Sequence, residues 1–261
     1  MALFGFSALL VLAYMSLWFM LAVIKKDNGL ADIAWGLGFV MLAWFSFYET
    51  ETITIRQLMV NICITVWAVR LSGHIFQRNL AKTEEDFRYA AWRKEWGKNW
   101  LKRTYFQVFL LQGFFMLIIA LPVLLAANQP VSGWETYNYI GLFVFVAGFL
   151  IESIADFQLA MFKSRSKNKG KLMKSGLWRY SRHPNYFGEA LVWWGVFIMV
   201  LPLKYWFIAL VSPVLMTYLL VGVSGIPMLE RKLKNHPEFG EYAAKTSPFI
   251  PMPVRNVKTE R

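Results

Sequence analysis

Acids, bases and amides enter an otherwise apolar chain at a few places, and their spacing limits the chemistry they can do. Glu152 and Asp156 are four residues apart, as are Asn185 and Glu189, so each pair projects from one helix face. Two acids on one face call for cations from outside their own helix. Arg70, His74 and Arg78 repeat the same interval, and Asp32 opens another apolar run. The densest segment is Ser175–Glu189, SGLWRYSRHPNYFGE. Ser181 to Pro184 can cap an incoming helix, whose first amides suit an anion. Arg179, Arg182 and His183 add positive charge beside it, and Gly188 removes a side chain between Asn185 and Glu189, permitting close approach. Together these residues describe a phosphate-friendly loop feeding a polar helix face. The competing reading is structural: acids and bases pairing at a membrane interface, with Arg70 and Arg78 reaching toward lipid phosphates.

The elements that must position these groups are membrane helices. The chain has 261 residues, 57% hydrophobic and 17% charged, which argues against a soluble domain. Apolar runs of about 20 residues are long enough to cross the hydrocarbon. They occur at Leu3–Ile24, Leu30–Tyr48, Ile53–Leu71, Tyr105–Ala127, Tyr137–Phe162 and Tyr205–Leu229. Tyr186–Leu201 is shorter and can start at Pro184, since proline suits a first helical turn. The first run lacks a preceding basic residue and a small-residue cleavage site, so it reads as a span rather than a leader. An all-α bundle of about seven transmembrane helices follows, as one domain over 1–261 with a motif-rich part at 137–251.

Of the 28 Lys and Arg residues, all but Arg56 and Lys204 fall in alternate loops and the tail. That bias predicts the N-terminus outside and the C-terminus in the cytoplasm. It also explains the net charge of +12 without invoking nucleic acid. Trp92, Trp96 and Trp100 recur every four residues within Thr83–Arg103 and predict an amphipathic helix lying at the head-group level. The one cysteine, Cys63, permits no disulfide within the chain, and His74, His183 and His236 lack zinc-site spacing. Asp32, His74, Glu152, Asp156 and Glu189 all fall in the halves of their spans nearest the basic loops. Bundling would gather them in a cavity open to the cytoplasm.

The run GLWRYSRHPNYFGE resembles the C-terminal domain of the steroid 5α-reductase family, most closely its bacterial branch of the DUF1295 type. DIAWGLGF (Asp32–Phe39), RLSGHIFQRN (Arg70–Asn79), EDFRY (Glu85–Tyr89), ESIADFQLAMF (Glu152–Phe162) and E-Y-x-x-x-T-x-x-F-I-P (Glu241–Pro251) are similar to that branch as well. The resemblance implies a seven-helix membrane reductase that takes NADPH from the cytosolic side and passes hydride to the β-carbon of an α,β-unsaturated ketone. It assigns cofactor contacts to Glu152, Asp156, Asn185, Tyr186, Glu189 and Tyr242, with Arg179, Arg182 and His183 near the phosphates. The steroid enzymes polarise the ketone with a Glu from the second span and a Tyr from the third. Asp32 is the counterpart of that Glu, whereas alignment of the Tyr falls near His74 and Ile75, leaving His74 as a candidate donor.

The expected function is therefore NADPH-dependent reduction of an activated C=C bond in a lipophilic substrate, steroid-like compounds included, in a bacterial inner membrane. No G-x-G-x-x-G follows a strand, which excludes a soluble Rossmann site. Gly36-Leu37-Gly38 lies within a span and reads as close helix packing. The RHPNYFG run is also similar to membrane isoprenylcysteine and phospholipid methyltransferases that use S-adenosylmethionine. A non-enzymatic transporter or lipid-binding protein is a further alternative. The polar residues gathering near one membrane face argue against it.

Overall fold

The computed structural model describes residues 2–80, 87–129, 131 and 133–255, and they are helical, with no strand among them. Five helices are long and apolar enough to cross a membrane, or six if a pair bent by 48° counts as one span. Four of the five are α1 (Ala2–Lys25), α2 (Leu30–Tyr48), α3 (Ile55–Leu80) and α8 (Thr136–Ser164); the fifth is the interrupted run Trp206–Leu233. Phe4, Phe6, Leu9, Leu12, Leu17, Met20 and Ile24 of α1 are exposed. An apolar surface of that extent is stable where the solvent is lipid.

The chain forms two compact units. The first comprises Met1–Thr136 with Val200–Ser212. Within it α2 packs between its neighbours through glycines: a Cβ at Gly36 would fall 2.2 Å from Ser72 Oγ, and one at Gly38 2.4 Å from Met116 Sδ. Buried polar side chains then bond carbonyls of α2. Tyr14 donates to Ala34 O, Ser72 to Ile33 O, and Asn61 to Ala43 O. Phe39 and Trp67, both fully buried, meet edge to face at 5.6 Å.

The fourth apolar run is not one straight helix. It follows α5 (Trp100–Thr104), passes through a π turn (Tyr105–Leu110) and α6 (Leu111–Ile119), then breaks before α7 (Leu121–Asn128). Pro122 sits in the first turn of α7, where its missing N–H costs nothing. The break deprives the Ile119 carbonyl of a helical partner, and the buried Ser212 hydroxyl donates to it at 2.6 Å. The tryptophan segment is also divided. α4 (Phe87–Trp96) is followed by a short 3₁₀ turn at Gly97, where φ is +50°, and then by α5. Trp92 and Trp96 stack at 5.6 Å, and the Arg93 guanidinium lies 4.2 Å above the Trp100 ring. Thr83 to Asp86, expected to begin this helix, lie outside the described residues.

The second unit comprises Tyr137–Met199 and Pro213–Arg261. Its centre is the crossing of α8 with α9 (Pro184–Met199). At 16 residues, α9 is short, and it begins at Pro184. Gly141 and Gly148 on α8 face Gly195 and Gly188 on α9, each pair two turns from the other. A Cβ on Gly141 would lie 2.6 Å from Gly195 O, and one on Gly188 2.5 Å from Glu152 N. The two backbones therefore touch, as small residues permit. The buried Asn138 amide donates to Met199 O and satisfies a carbonyl at the end of α9. α11 (Val211–Tyr218) leads through a π turn (Leu219–Val223) to α12 (Ile226–Leu233), where Pro227 lies in the opening turn and so starts a helix rather than breaking one. α13 (Phe239–Lys245) completes the unit.

A candidate cofactor site in the second unit

The glycine crossing determines what faces what. Because Gly188 has no side chain, Glu152 of α8 packs directly on it: an added Cβ would lie 2.8 Å from Glu152 Cβ. One turn further along α8, Asp156 Oδ1 accepts a 3.1 Å hydrogen bond from Asn185 Nδ2 in the first turn of α9. Glu152, Asp156 and Glu189 are all buried, at 2%, 7% and 8% exposure. Burial of three carboxyls is costly unless other groups meet them, and all three interact with other groups of the protein. The second half of the Asn185 amide, Oδ1, is also buried and has no hydrogen-bond partner among the described residues. Sequence spacing thus brought two helix faces into view, and the structure sets those faces against each other.

The loop ahead of α9 is held by the C-terminal tail. Ser181 Oγ accepts from His183 N and donates to Phe249 O. Arg182, expected beside phosphates, instead commits its guanidinium to protein partners. It grips Glu230 through Nε and Nη2 at 2.7 and 3.1 Å, and Nη1 donates to the carbonyls of Ala243 and Thr246. His183 Nε2 lies 3.2 Å from Glu230 Oε1, and its ring stacks on Tyr186 at 5.5 Å. Tyr242 donates its hydroxyl to Trp178 O, and the Trp178 indole donates to Ala155 O beside Asp156. Burial pushes the Tyr242 hydroxyl above its ordinary range, so it stays a neutral donor. Phe187 and Phe249 meet edge to face. The two motifs RYSRHPNYFGE and EYxxxTxxFIP are therefore one folded piece. Arg179 remains on the surface, lining a cleft with Tyr242.

Asp32 and His74 belong to the first unit. There Asp32 Oδ1 accepts a 2.8 Å hydrogen bond from the Tyr89 hydroxyl, and Arg78 approaches Oδ2 at 3.9 Å. Tyr89 is 3% exposed. Sequence spacing gave no role to Tyr89 or to Glu230. The first meets Asp32 from 57 residues away and the second meets Arg182 from 48; no local periodicity carries such pairings. The run EDFRY contained the only hint of Tyr89, and its Glu85 and Asp86 lie outside the described residues.

The family model "Protein of unknown function (DUF1295)" matches residues 18–246. The chain is similar to the "Uncharacterized protein C594.04c" of Schizosaccharomyces pombe, 26% identical over 242 residues, covering 79% of this chain and 67% of that protein. No solved structure matches. With nearly its whole length inside the family match, the chain belongs to the DUF1295 family of proteins of unknown function.

Proposed function

We propose that this protein is a membrane reductase that uses NADPH to reduce an activated C=C bond in a lipophilic substrate. The observation that carries this reading is the buried Asn185 amide, hydrogen-bonded to Asp156 on one side and open on the other. A nicotinamide carboxamide has one acceptor and two donors. The open Asn185 Oδ1 and the carboxyls of Glu152, Asp156 and Glu189 fit its N–H groups. When bound, NADPH supplies the hydride. The chain's own task is to hold that carboxamide and keep water from it, for which burial between two touching helices is suited.

For the carbonyl of an enone substrate, Asp32 is the residue the family resemblance points to, and Tyr89 is its partner in the structure. We assign Tyr89 as the donor that His74 was expected to be. The Tyr89 O–H, which Asp32 Oδ1 accepts in the structure, would turn to hydrogen-bond the developing enolate oxygen. Seven spans, with α9 and Trp206–Leu233 as the last two, the N-terminus outside and the active face toward the cytoplasm of a bacterial inner membrane, complete the reading. The distribution of Lys and Arg supports that orientation.

One observation favours a second reading. Three buried carboxyls at the α8–α9 crossing also suit the positive charges of S-adenosylmethionine, as a membrane methyltransferase requires. Calorimetry on the purified full chain with NADPH, NADH and S-adenosylmethionine separates the two. Saturable dinucleotide binding that Asn185→Ala weakens about tenfold, the scale of one buried hydrogen bond, supports the reductase. Binding of S-adenosylmethionine alone would overturn it.

A further inference from the structure

A second concavity of this unit lies between the segment leading to Arg179 and α13. It is a cleft of about 450 Å³ lined by Lys174, Ser175, Arg179, Glu241, Tyr242, Lys245 and Thr246. Three cationic side chains thus converge from two distant stretches of sequence. Lys174 and Lys245 bond Glu238 and Glu241 at 2.7 and 2.6 Å. Those pairs are exposed, and exposed pairs hold their partners weakly in water. A stronger anion can take both lysines. The Arg179 guanidinium is exposed and makes no ion pair among the described residues. The exposed Ser175 hydroxyl, held by a weak contact to Met173 Sδ, adds a donor to the same wall, while Thr246 Oγ1 donates to Arg179 O.

The cleft is rigid where it meets α8. Gly176 has φ +61°, and a Cβ there would fall 2.5 Å from the Gln158 side-chain amide. Leu177 N donates to that amide's oxygen at 3.0 Å, and the Trp178 indole donates to Ala155 O at 3.0 Å. The turn that presents Arg179 is therefore fastened to α8 on both sides of Asp156.

We propose that this cleft binds a phosphate monoester of an adenosine nucleotide. Resting on the reading above, that group is the 2′-phosphate that distinguishes NADPH from NADH. A terminal dianion offers several acceptor oxygens to point-like lysine charges and a forked guanidinium. The cleft's size suits a nucleotide fragment, since small-molecule sites run about 300–1,000 Å³. A phosphatidate head group carries the same chemistry, so the test has an arm for it.

The full chain is placed in phosphatidylcholine nanodiscs and titrated with NADPH, NADH and adenosine 2′,5′-bisphosphate by calorimetry. NADPH should bind about tenfold or more tightly than NADH, and the bisphosphate should compete with NADPH. Arg179→Ala, and Lys174→Ala with Lys245→Ala, should bring NADPH down to the NADH level without weakening NADH; Arg179→Lys should keep most of the difference. These side chains are exposed, and unchanged NADH binding verifies the fold. Equal binding of both dinucleotides, or variants that leave their ratio unaltered, would overturn the cleft assignment while the carboxamide pocket stands. Failure of both dinucleotides overturns the reductase reading too. Suppose the bisphosphate does not bind, yet phosphatidate in the disc raises thermal stability in an Arg179-dependent way. The cleft is then a lipid head-group site, and the nucleotide proposal falls.

Discussion

Replacing Gly188 by Ala tests whether the α8–α9 contact builds the site or merely holds the bundle. The added Cβ would lie 2.5 Å from Glu152 N, 2.6 Å from Gly148 O and 2.8 Å from Glu152 Cβ. Ordinary contact lies near 3.5–4.0 Å, and two of the three neighbours are backbone atoms that cannot rotate away. The helices must part by about 1 Å, and overpacking of this kind costs about 1–3 kcal/mol. The same shift would stretch the 3.1 Å Asn185–Asp156 hydrogen bond past its useful range. Gly195→Ala is the control that isolates this effect. Its Cβ would lie 2.5 Å from Phe145 N and 2.7 Å from Gly141 O, an equal clash two helical turns further from Asn185. Gly5→Ala, with nothing within 4 Å, should be neutral or slightly stabilising. Thermal unfolding in detergent and calorimetry with NADPH read the two quantities separately. Both Gly188→Ala and Gly195→Ala should lower Tm by several degrees, but only Gly188→Ala should lose dinucleotide affinity, by about tenfold. Equal affinity losses in both variants, or unchanged Tm in both, would refute the reasoning.

Arg182→Ala leaves Glu230 largely buried without its guanidinium partner and frees the tail carbonyls of Ala243 and Thr246, a change that costs about 3–5 kcal/mol when an ion pair is fully buried and less at this partial exposure. Limited proteolysis should then cut near Ala243–Phe249, and Arg182→Lys should not restore protection because an ammonium cannot bond Glu230 and two carbonyls in one plane. Tyr242→Phe removes one hydrogen bond to Trp178 O and should cost about 1 kcal/mol at neutral pH. Because burial raises the Tyr242 hydroxyl in the folded state, its contribution is complete below the unfolded value near 10 and is lost as pH rises toward the folded one. The wild type should therefore lose more stability between pH 9 and 11 than the Phe variant in a pH series of melts. Tyr89→Phe should lower kcat for an enone by about 10²-fold or more with NADPH affinity intact; equal turnover would remove Tyr89 from the chemistry.

Helix 30–48 was readable to the residue because its apolar run is bounded by the Asp27–Gly29 turn and by Glu49. The pairs Glu152/Asp156 and Asn185/Glu189 were readable as helix faces because four-residue spacing is a local property. What faces them was not, since the Asp156–Asn185 bond joins residues 29 apart through a crossing set by four glycines. Hydropathy also failed to show that the runs near Tyr105–Ala127 and Tyr205–Leu229 are interrupted. Their breaks depend on where Pro122 and Gly225 fall and on which hydroxyls reach the released carbonyls, as Ser212 does for Ile119. Arg182 shows the limit most directly. A cation beside a helix N-terminus suggests an anion, and the anion here is the chain's own Glu230.

That self-pairing has a consequence for how charge can be used near α9. Arg182 and His183 both face Glu230, so the guanidinium closest to the first turn of α9 is already paired within the fold and His183 shares the same carboxylate. A ligand phosphate arriving there would have to compete with a carboxylate bound at 2.7 Å and already desolvated. The cations of the tail cleft are held only by exposed glutamates, and Arg179 by no ion pair among the described residues. An incoming dianion therefore gains more at Lys174, Arg179 and Lys245 than at Arg182, although the sequence places Arg182 nearer the helix. The buried clamp keeps the loop in one shape, and the exposed cations on that fixed loop remain available to a ligand.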